Sequence, residues 1–400
     1  MPKKRRTSKK NSTVTFLTLG LLVVLGLVFS LTGQDPGGFF ATLTPTTDAA
    51  PATSTAPVVN VPTSANASGA WWEVYFTDPL NINDPGNWQA SVVGRLVEKI
   101  NAAQTSIHIA SFEFDLTPVA EALIAARQRG VDVRWVTDDE NGLEADEDPG
   151  HGQFTMLQAA GIEVRSDERS ALMHNKFWIF DRQTVWTGST NITGSGVFKQ
   201  NNNVLVIHSP QLAEIYEAEF DEMWNGQFGP RSPSQLDTQA AVVNGSNMVV
   251  VFTSEDSALE DAIIPVVMGA QSSIRFLAFS FTDYPLAQAM IDRAAAGVSA
   301  AGVYEKFGSE TDAAEMDTLL CGGVPVRQDG NSGFMHNKLI IIDDRIVITG
   351  SLNFSTNAED NNDENVIIID NPEIAQLYVQ EFDRIWSLGT DLDPASIACS

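Results

Sequence analysis

Two segments of the chain carry the same ionisable pattern in otherwise apolar surroundings. "LMHNKFWIFDRQTVWTGSTN" (172–191) and "FMHNKLIIIDDRIVITGSLN" (334–353) each hold a His, a Lys two positions on, an Asp, and then a Gly-Ser-x-Asn turn. Strand alternation puts His174 with Lys176, and His336 with Lys338, on one face, with Asp181 and Asp343 on the other. Burying unpaired charge is costly, so packing alone does not account for two identical copies. The residue types suit a phosphate ester. A lysine supplies fixed charge to the phosphoryl oxygens, and Ser189 and Asn191, or Ser351 and Asn353, add hydrogen-bond donors. A histidine acts as nucleophile or as proton donor, and two copies meeting face to face let one attack phosphorus while the other protonates the leaving alcohol.

The elements that must position these residues are themselves repeated. "SIHIASFEFDLTPVAEALIAARQRGV" from Ser106 aligns with "SIRFLAFSFTDYPLAQAMIDRAAAGV" from Ser273 at an offset of 167, and the offset becomes 162 from "GIEVRSDERSALMHNK" to "EAEFDEMW". Each copy starts with a β-rich run, passes into a helix-period segment ending at glycine, continues through further strands and closes with an amphipathic helix. Strands alternating with helices predict an α/β unit around a mixed sheet. The expected division is a lobe over 70–228, a Gly/Pro/Ser/Asn-rich linker over 229–246 and a second lobe over 247–390. The acidic stretch "TDDENGLEADEDPGHG" is a piece that one copy has and the other mostly lacks; its spacing is not that of an EF-hand, and a solvated loop is expected.

The pattern HxK(x)4D(x)6GSxN, complete in both copies, resembles the signature of the phospholipase D superfamily, over roughly Trp71 to Trp386. The resemblance implies two tandem α/β lobes with pseudo-two-fold symmetry, an active site at their interface, a covalent phosphohistidine intermediate and no cofactor or metal requirement. It also implies that Asp181 and Asp343 orient and balance charge, and that a polar residue supports each motif histidine from behind. At that position the copies differ, with Asn202 in one and Glu364 in the other. The expectation is that Glu364 favours imidazolium at His336, making it the general acid, while Asn202 leaves His174 neutral and nucleophilic. Phe112, Phe114, Phe279 and Phe281 recur in the first strands and are expected in the core, with a pocket lining as the alternative. His108, His151 and His208 lie outside any ligand-like spacing.

Charge restricts the partners. Six of the 24 basic residues lie in the first ten positions, so the remainder sets 18 basic against 51 acidic residues. Such a surface repels nucleic acid and anionic membrane at long range, and a polyanion must be met by a local positive site. The uncharged run Val14–Thr32 after the basic segment 1–13 reads as a transmembrane signal-anchor that leaves the rest extracytoplasmic, or as a cleaved signal. Residues 33–69, rich in Pro, Thr, Ser and Ala, read as a flexible tether. Cys321 and Cys399, 78 positions apart, imply no disulfide framework, with Cys321 a small buried hydrophobe and Cys399 at a loose end.

These features point to a phosphodiesterase of phospholipase D type that hydrolyses or transfers a phospholipid head group beside a membrane. A nuclease of the same superfamily is the alternative, disfavoured by charge, and a cardiolipin synthase-like transferase is a third. Both motifs being complete argues against an inactive scaffold. Because both lie in one chain, a monomer is expected.

Overall fold

The computed structural model describes residues 64–232, 239–393, 397 and 399. The run Val14–Thr32 read as an anchor, most of the segment read as a tether and the middle of the interlobe segment lie outside them. Among the described residues no helix is long and apolar enough to cross a membrane.

Two mixed sheets carry the fold. The first runs in the order Ala67–Ser68, Trp72–Phe76, Asn203–His208, Thr184–Gly188, Lys176–Phe180, Ser106–Ser111, Asp132–Thr137 and Glu163–Ser166. The second runs Thr390–Asp391, Val326–Gln328, Ser299–Tyr304, Ser273–Ala278, Lys338–Ile342, Ile346–Gly350, Glu364–Asp370, Ser246–Thr253 and Gln239–Val243. Read from their matching ends, seven successive strands correspond one to one, as a duplicated unit requires. Gln239–Val243, within the segment read as linker, is an edge strand hydrogen-bonded to Ser246–Thr253.

The last helix of each unit, Pro210–Trp224 and Pro372–Leu388, starts alike. Ser209 and Asn371 cap the first turn by accepting from Leu212 N and Ile374 N, and a proline follows where its missing N–H costs nothing. The apolar stripes of both helices share one buried cluster with the inward faces of both sheets. It includes Tyr216, Phe220, Phe252, Tyr378 and Phe382. The edge-on contact of Phe76 with Tyr378, at 5.2 Å between ring centres, crosses between the units. Each sheet's outer face packs separately under its own helices, around Leu123 and Trp135 in one unit and Leu286 and Tyr304 in the other. Burying the sheets on both faces explains why their central strands are near-continuous apolar runs.

Two expectations need correction. Cys321 and Cys399 form a disulfide with 5.5 Å between Cα atoms, and both are exposed. Cys321 lies at the end of helix Met316–Cys321, so the bond ties the chain's last residues to the second lobe. The acidic stretch is also not simply solvated. Asp146 is buried and accepts from Gly152 N, Phe154 N and Thr155 N, anchoring helix Gln153–Ala159, while Asp138 accepts from Met173 N at 3.1 Å.

Candidate active site

The histidines lie just outside the strands expected to hold them. Those strands begin at Lys176 and Lys338, and the preceding residues instead bridge to the other lobe. Met173 pairs with Asp363 and Asn201 with Met335 in short parallel bridges. His174 N donates to Asp363 O at 2.9 Å, and His336 N donates to Asn201 O at 2.8 Å. Each motif is thus stitched by its backbone to the opposite unit, one residue before Glu364 or Asn202.

This stitching crosses the supports. His174 Nδ1 is 2.7 Å from Glu364 Oε2, and His336 Nδ1 is 3.0 Å from Asn202 Oδ1 and 3.2 Å from Ser189 O. The expected pairing of Glu364 with His336 and Asn202 with His174 is reversed, because each support stands at the start of the strand that faces the other lobe's histidine. With Nδ1–H donated backwards in both, each ring turns Nε2 outward.

Gly-Ser-x-Asn positions the supports. Gly188 has φ +141°, and a Cβ there would come within 2.3 Å of Asn203 O; Gly350 repeats this against Asn365 O at 2.1 Å. That close approach lets Ser189 Oγ donate to Asn202 Oδ1 at 2.8 Å and accept from Asn203 N, while Ser351 hydrogen-bonds Glu364 and accepts from Asn365 N. The two serines therefore hold the supports behind the histidines. Asn191 Nδ2 donates to Glu113 Oε2 at 3.1 Å, and the buried side-chain oxygens of Asn191 and Asn353 have no protein partner.

Lys176 and Lys338 are fully buried, and each Nζ donates to the carbonyl of its own motif histidine, at 2.7 and 2.8 Å. Phe112 and Phe279 lie edge-on to His174 and His336, at 4.8 and 4.7 Å, and beneath Lys176 and Lys338. The four phenylalanines divide accordingly: Phe114 and Phe281 are core, and Phe112 and Phe279 wall the site.

Burial dominates the electrostatics. It holds both imidazoles well below the usual histidine range, assisted by the charges of both lysines. It lowers Lys176 to about 8, pushes Glu364 up to about 7 against the pull of Lys176, and pushes Glu113 up to about 7. That each histidine feels both lysines shows the two motifs converging on one place.

Asp181 and Asp343 do not join them. Each starts a tight turn at the far end of its strand, with φ +53° and +54°. Asp181 accepts from the N–H groups of Gln104, Thr105 and Ser106, and Asp343 from those of Gln271, Ser272 and Ser273. Although burial opposes it, these bonds hold both carboxyls below their ordinary value. The aspartates fasten the motif strand to the start of its neighbour.

A symmetric amide network went unread in the sequence. Asn203 Nδ2 donates to Asn337 Oδ1 at 2.9 Å and Asn365 Nδ2 to Asn175 Oδ1 at 2.8 Å; Thr349 and Thr187 close the pattern onto Asn203 Oδ1 and Asn365 Oδ1. Its signal was present in the middle residue of both "HNK" triplets and in the Asn that follows Asn202 and Glu364. Elsewhere, His108 bonds Glu217 and His208 bonds Glu73, away from the motifs.

The family model described as "Cardiolipin synthase, PLD-like domain" matches residues 96–224 and 263–386, one match per lobe. The chain belongs to the phospholipase D superfamily. The mitochondrial cardiolipin hydrolase of Xenopus tropicalis is 34% identical over 141 residues, 35% of this chain and 65% of that protein. A phospholipase D of Rickettsia felis is 28% identical over 201 residues, 50% of this chain and 91% of that protein. These matches take in at most half of the chain, and the first covers less than two thirds of its relative's length. Among solved structures, the phosphatidylserine synthase of Haemophilus influenzae superposes with a TM-score of 0.60 over 80% of this chain and 87% of its own, at 13% identity, a likeness of fold.

Proposed function

We propose that this protein is a phospholipase D-type phosphodiesterase that cleaves or exchanges the head group of a phospholipid through a phosphohistidine on His174. The observation that carries the reading is the crossed support: one buried site, two outward Nε2 atoms, a carboxylate behind one ring and an amide behind the other. Glu364, accepting from His174 Nδ1–H, raises the electron density at Nε2 and stabilises the positive ring that forms as it attacks. Asn202 fixes the same tautomer at His336 without adding charge, so His336 can hold and surrender a proton at Nε2. In the first step His174 Nε2 bonds to phosphorus, the phosphorus–oxygen bond to the head group breaks, and His336 protonates the departing oxygen. In the second, His336 takes a proton from water or another alcohol, whose oxygen displaces His174. Lys176 and Lys338 meet the phosphoryl oxygens, and the entering negative charge offsets the burial and lysine charge that hold both imidazoles neutral. Asn191 and Asn353 are the remaining polar groups of the turns available to the substrate.

A lipid is favoured over nucleic acid because, past the first ten positions, 18 basic residues stand against 51 acidic ones, leaving a surface that repels a polyanion at long range. The uncharged run Val14–Thr32 would hold the lobes beside a bilayer, on its extracytoplasmic side. The relatives' names make cardiolipin a candidate substrate alongside phosphatidylcholine. The test is release of head group by the full-length chain in detergent from vesicles of phosphatidylcholine or cardiolipin, beside single-stranded DNA, with chelator present. Lipid cleavage supports the reading; cut DNA with intact lipid overturns it in favour of a nuclease.

A further inference from the structure

The two lobes differ at one more matched pair, at the junction behind the site. The closing helices align as "EAEFDEMW" (217–224) and "VQEFDRIW" (379–386). In the second lobe Glu381 and Arg384 form a buried ion pair, with bonds of 2.8 and 2.6 Å, and both feel Asp78 from the strand end of the first lobe. The matching junction places Glu219 and Glu222 opposite Glu255, from the strand end of the second lobe. Glu222 stands where Arg384 stands, so three carboxylates meet where the other junction has two carboxylates around a guanidinium.

We propose that this junction binds a hard divalent cation, calcium by preference, through Glu219, Glu222 and Glu255. One oxygen from each lies within 4.8 Å of the others, the span across an ion with ligand bonds of about 2.4 Å. Glu219 is 2% exposed, and its Oε2 is buried with no hydrogen-bond partner. Burial beside the facing carboxylate of Glu255 raises Glu219 well above the carboxylate range, so a bound cation would take the place of a proton there, and the sister junction shows the arrangement when the cation is built in. The neighbouring basic group does not supply it, since Arg169 is engaged by Asp363 at 2.5 Å and by Asp167. Ser232 Oγ donates to Glu222 Oε2 and leaves its other oxygen for the ion.

The second carboxylate group, Asp138, Asp139 and Asp167, makes a useful contrast. Asp138 already accepts from Asn141 and Met173, Asp167 accepts from Asp139 N, and Asp167 Oδ2, which lacks a hydrogen bond, lies 3.5 Å from Arg169 Nε. Its charges are met by the chain itself. An ion at the Glu219 junction would instead join the first lobe's closing helix to the second lobe's strand end. It acts as a staple and takes no part in the chemistry.

The experiment is a calorimetric titration of the metal-stripped full-length chain in detergent with CaCl2, paired with thermal melting. The expected result is one ion bound and a melting point raised by several degrees. Glu222→Arg, which copies the sister junction, is expected to abolish the response to CaCl2 while melting at least as high as the calcium-loaded wild type. Glu222→Gln is expected to weaken binding at least about tenfold, the effect of losing one charged ligand. No heat and no melting shift at CaCl2 on the order of 10⁻² M, above the range of weak extracellular calcium sites, overturns the proposal. So does undiminished binding in Glu222→Arg.

Discussion

The two lobes share strand order, motif and amide network, yet the groups behind their histidines differ, one an ionisable carboxyl and the other a neutral amide. Behind His174 stands a buried carboxylate, Glu364, and behind His336 an uncharged amide, Asn202. On the proposed mechanism, a duplicated unit acquires direction by keeping the scaffold and changing one residue near a strand start, which would set which imidazole attacks. Because the lobes exchange supports, that residue acts on the histidine of the other lobe.

The comparison breaks most sharply at the histidines. His174→Asn is expected to lower turnover of any phosphodiester by about 10⁴-fold or more, the scale of losing a covalent nucleophile. Steady-state assay measures it, and residual activity above a hundredth of wild type is the contrary result. His336→Asn is expected to cost about 10²–10⁴-fold with a natural head group, the value of general acid catalysis. With p-nitrophenyl as leaving group, which departs unprotonated, most of the first-step loss is expected to vanish in a single-turnover measurement. Equal losses with both substrates would put His336 in another role.

Next comes the support. Glu364→Gln keeps the hydrogen bond to His174 and removes the charge, and a loss of about 10²-fold is expected, within the range reported for groups that orient a reactive histidine. Its pH profile sharpens the point. The Glu364 carboxyl sits at about 7 in the folded chain, raised by burial, so wild-type activity should fall as pH drops through 7, and Glu364→Gln should lose that limb. The same raised value means that the folded chain holds a proton which the unfolded chain releases at lower pH. Stability is therefore lost as pH rises through about 7, and Glu364→Gln should melt higher than wild type at pH 8. Asn202→Ala, removing only a neutral acceptor, is expected to lose less activity.

The smallest catalytic effect is expected at Asp181. Asp181→Asn should keep kcat/KM within a few fold while lowering the melting point. The folded carboxyl lies below its unfolded value, so its contribution is present at neutral pH and disappears as pH falls through the folded pKa, where mutant and wild type should converge. A large loss of kcat with unchanged melting would return Asp181 to the chemistry.

Much of this was legible because it repeats. Two copies of a His-Lys pattern pointed to the candidate site, and the constant offset pointed to the repeated unit. What escaped depends on how the lobes dock. Nothing in the spacing of Glu364 from His336 shows that Asp363 O receives the N–H of His174, so the nearer histidine was taken as its partner. Asp181 shares the motif's regularity with the catalytic residues, yet five strand residues carry it about 16 Å from Lys176. Regularity there reflects a turn that both copies need. The Cys321–Cys399 bond joins positions too far apart in sequence for any local pattern to announce. Phe112 and Phe279 were read with Phe114 and Phe281 because strand alternation gives both pairs the same parity; the strands end at Ser111 and Ala278, and the parity rule ends with them.

The central claim is that His174 forms the covalent bond and His336 handles the proton. The direct measurement is acid-quenched trapping of the phosphoenzyme from phospholipid labelled in its phosphate, with the labelled residue identified by peptide mass. Label is expected on His174 in the His336→Asn chain, where breakdown is slowed, and none in His174→Asn. Label on His336 in the His174→Asn chain, with none in His336→Asn, would contradict the account.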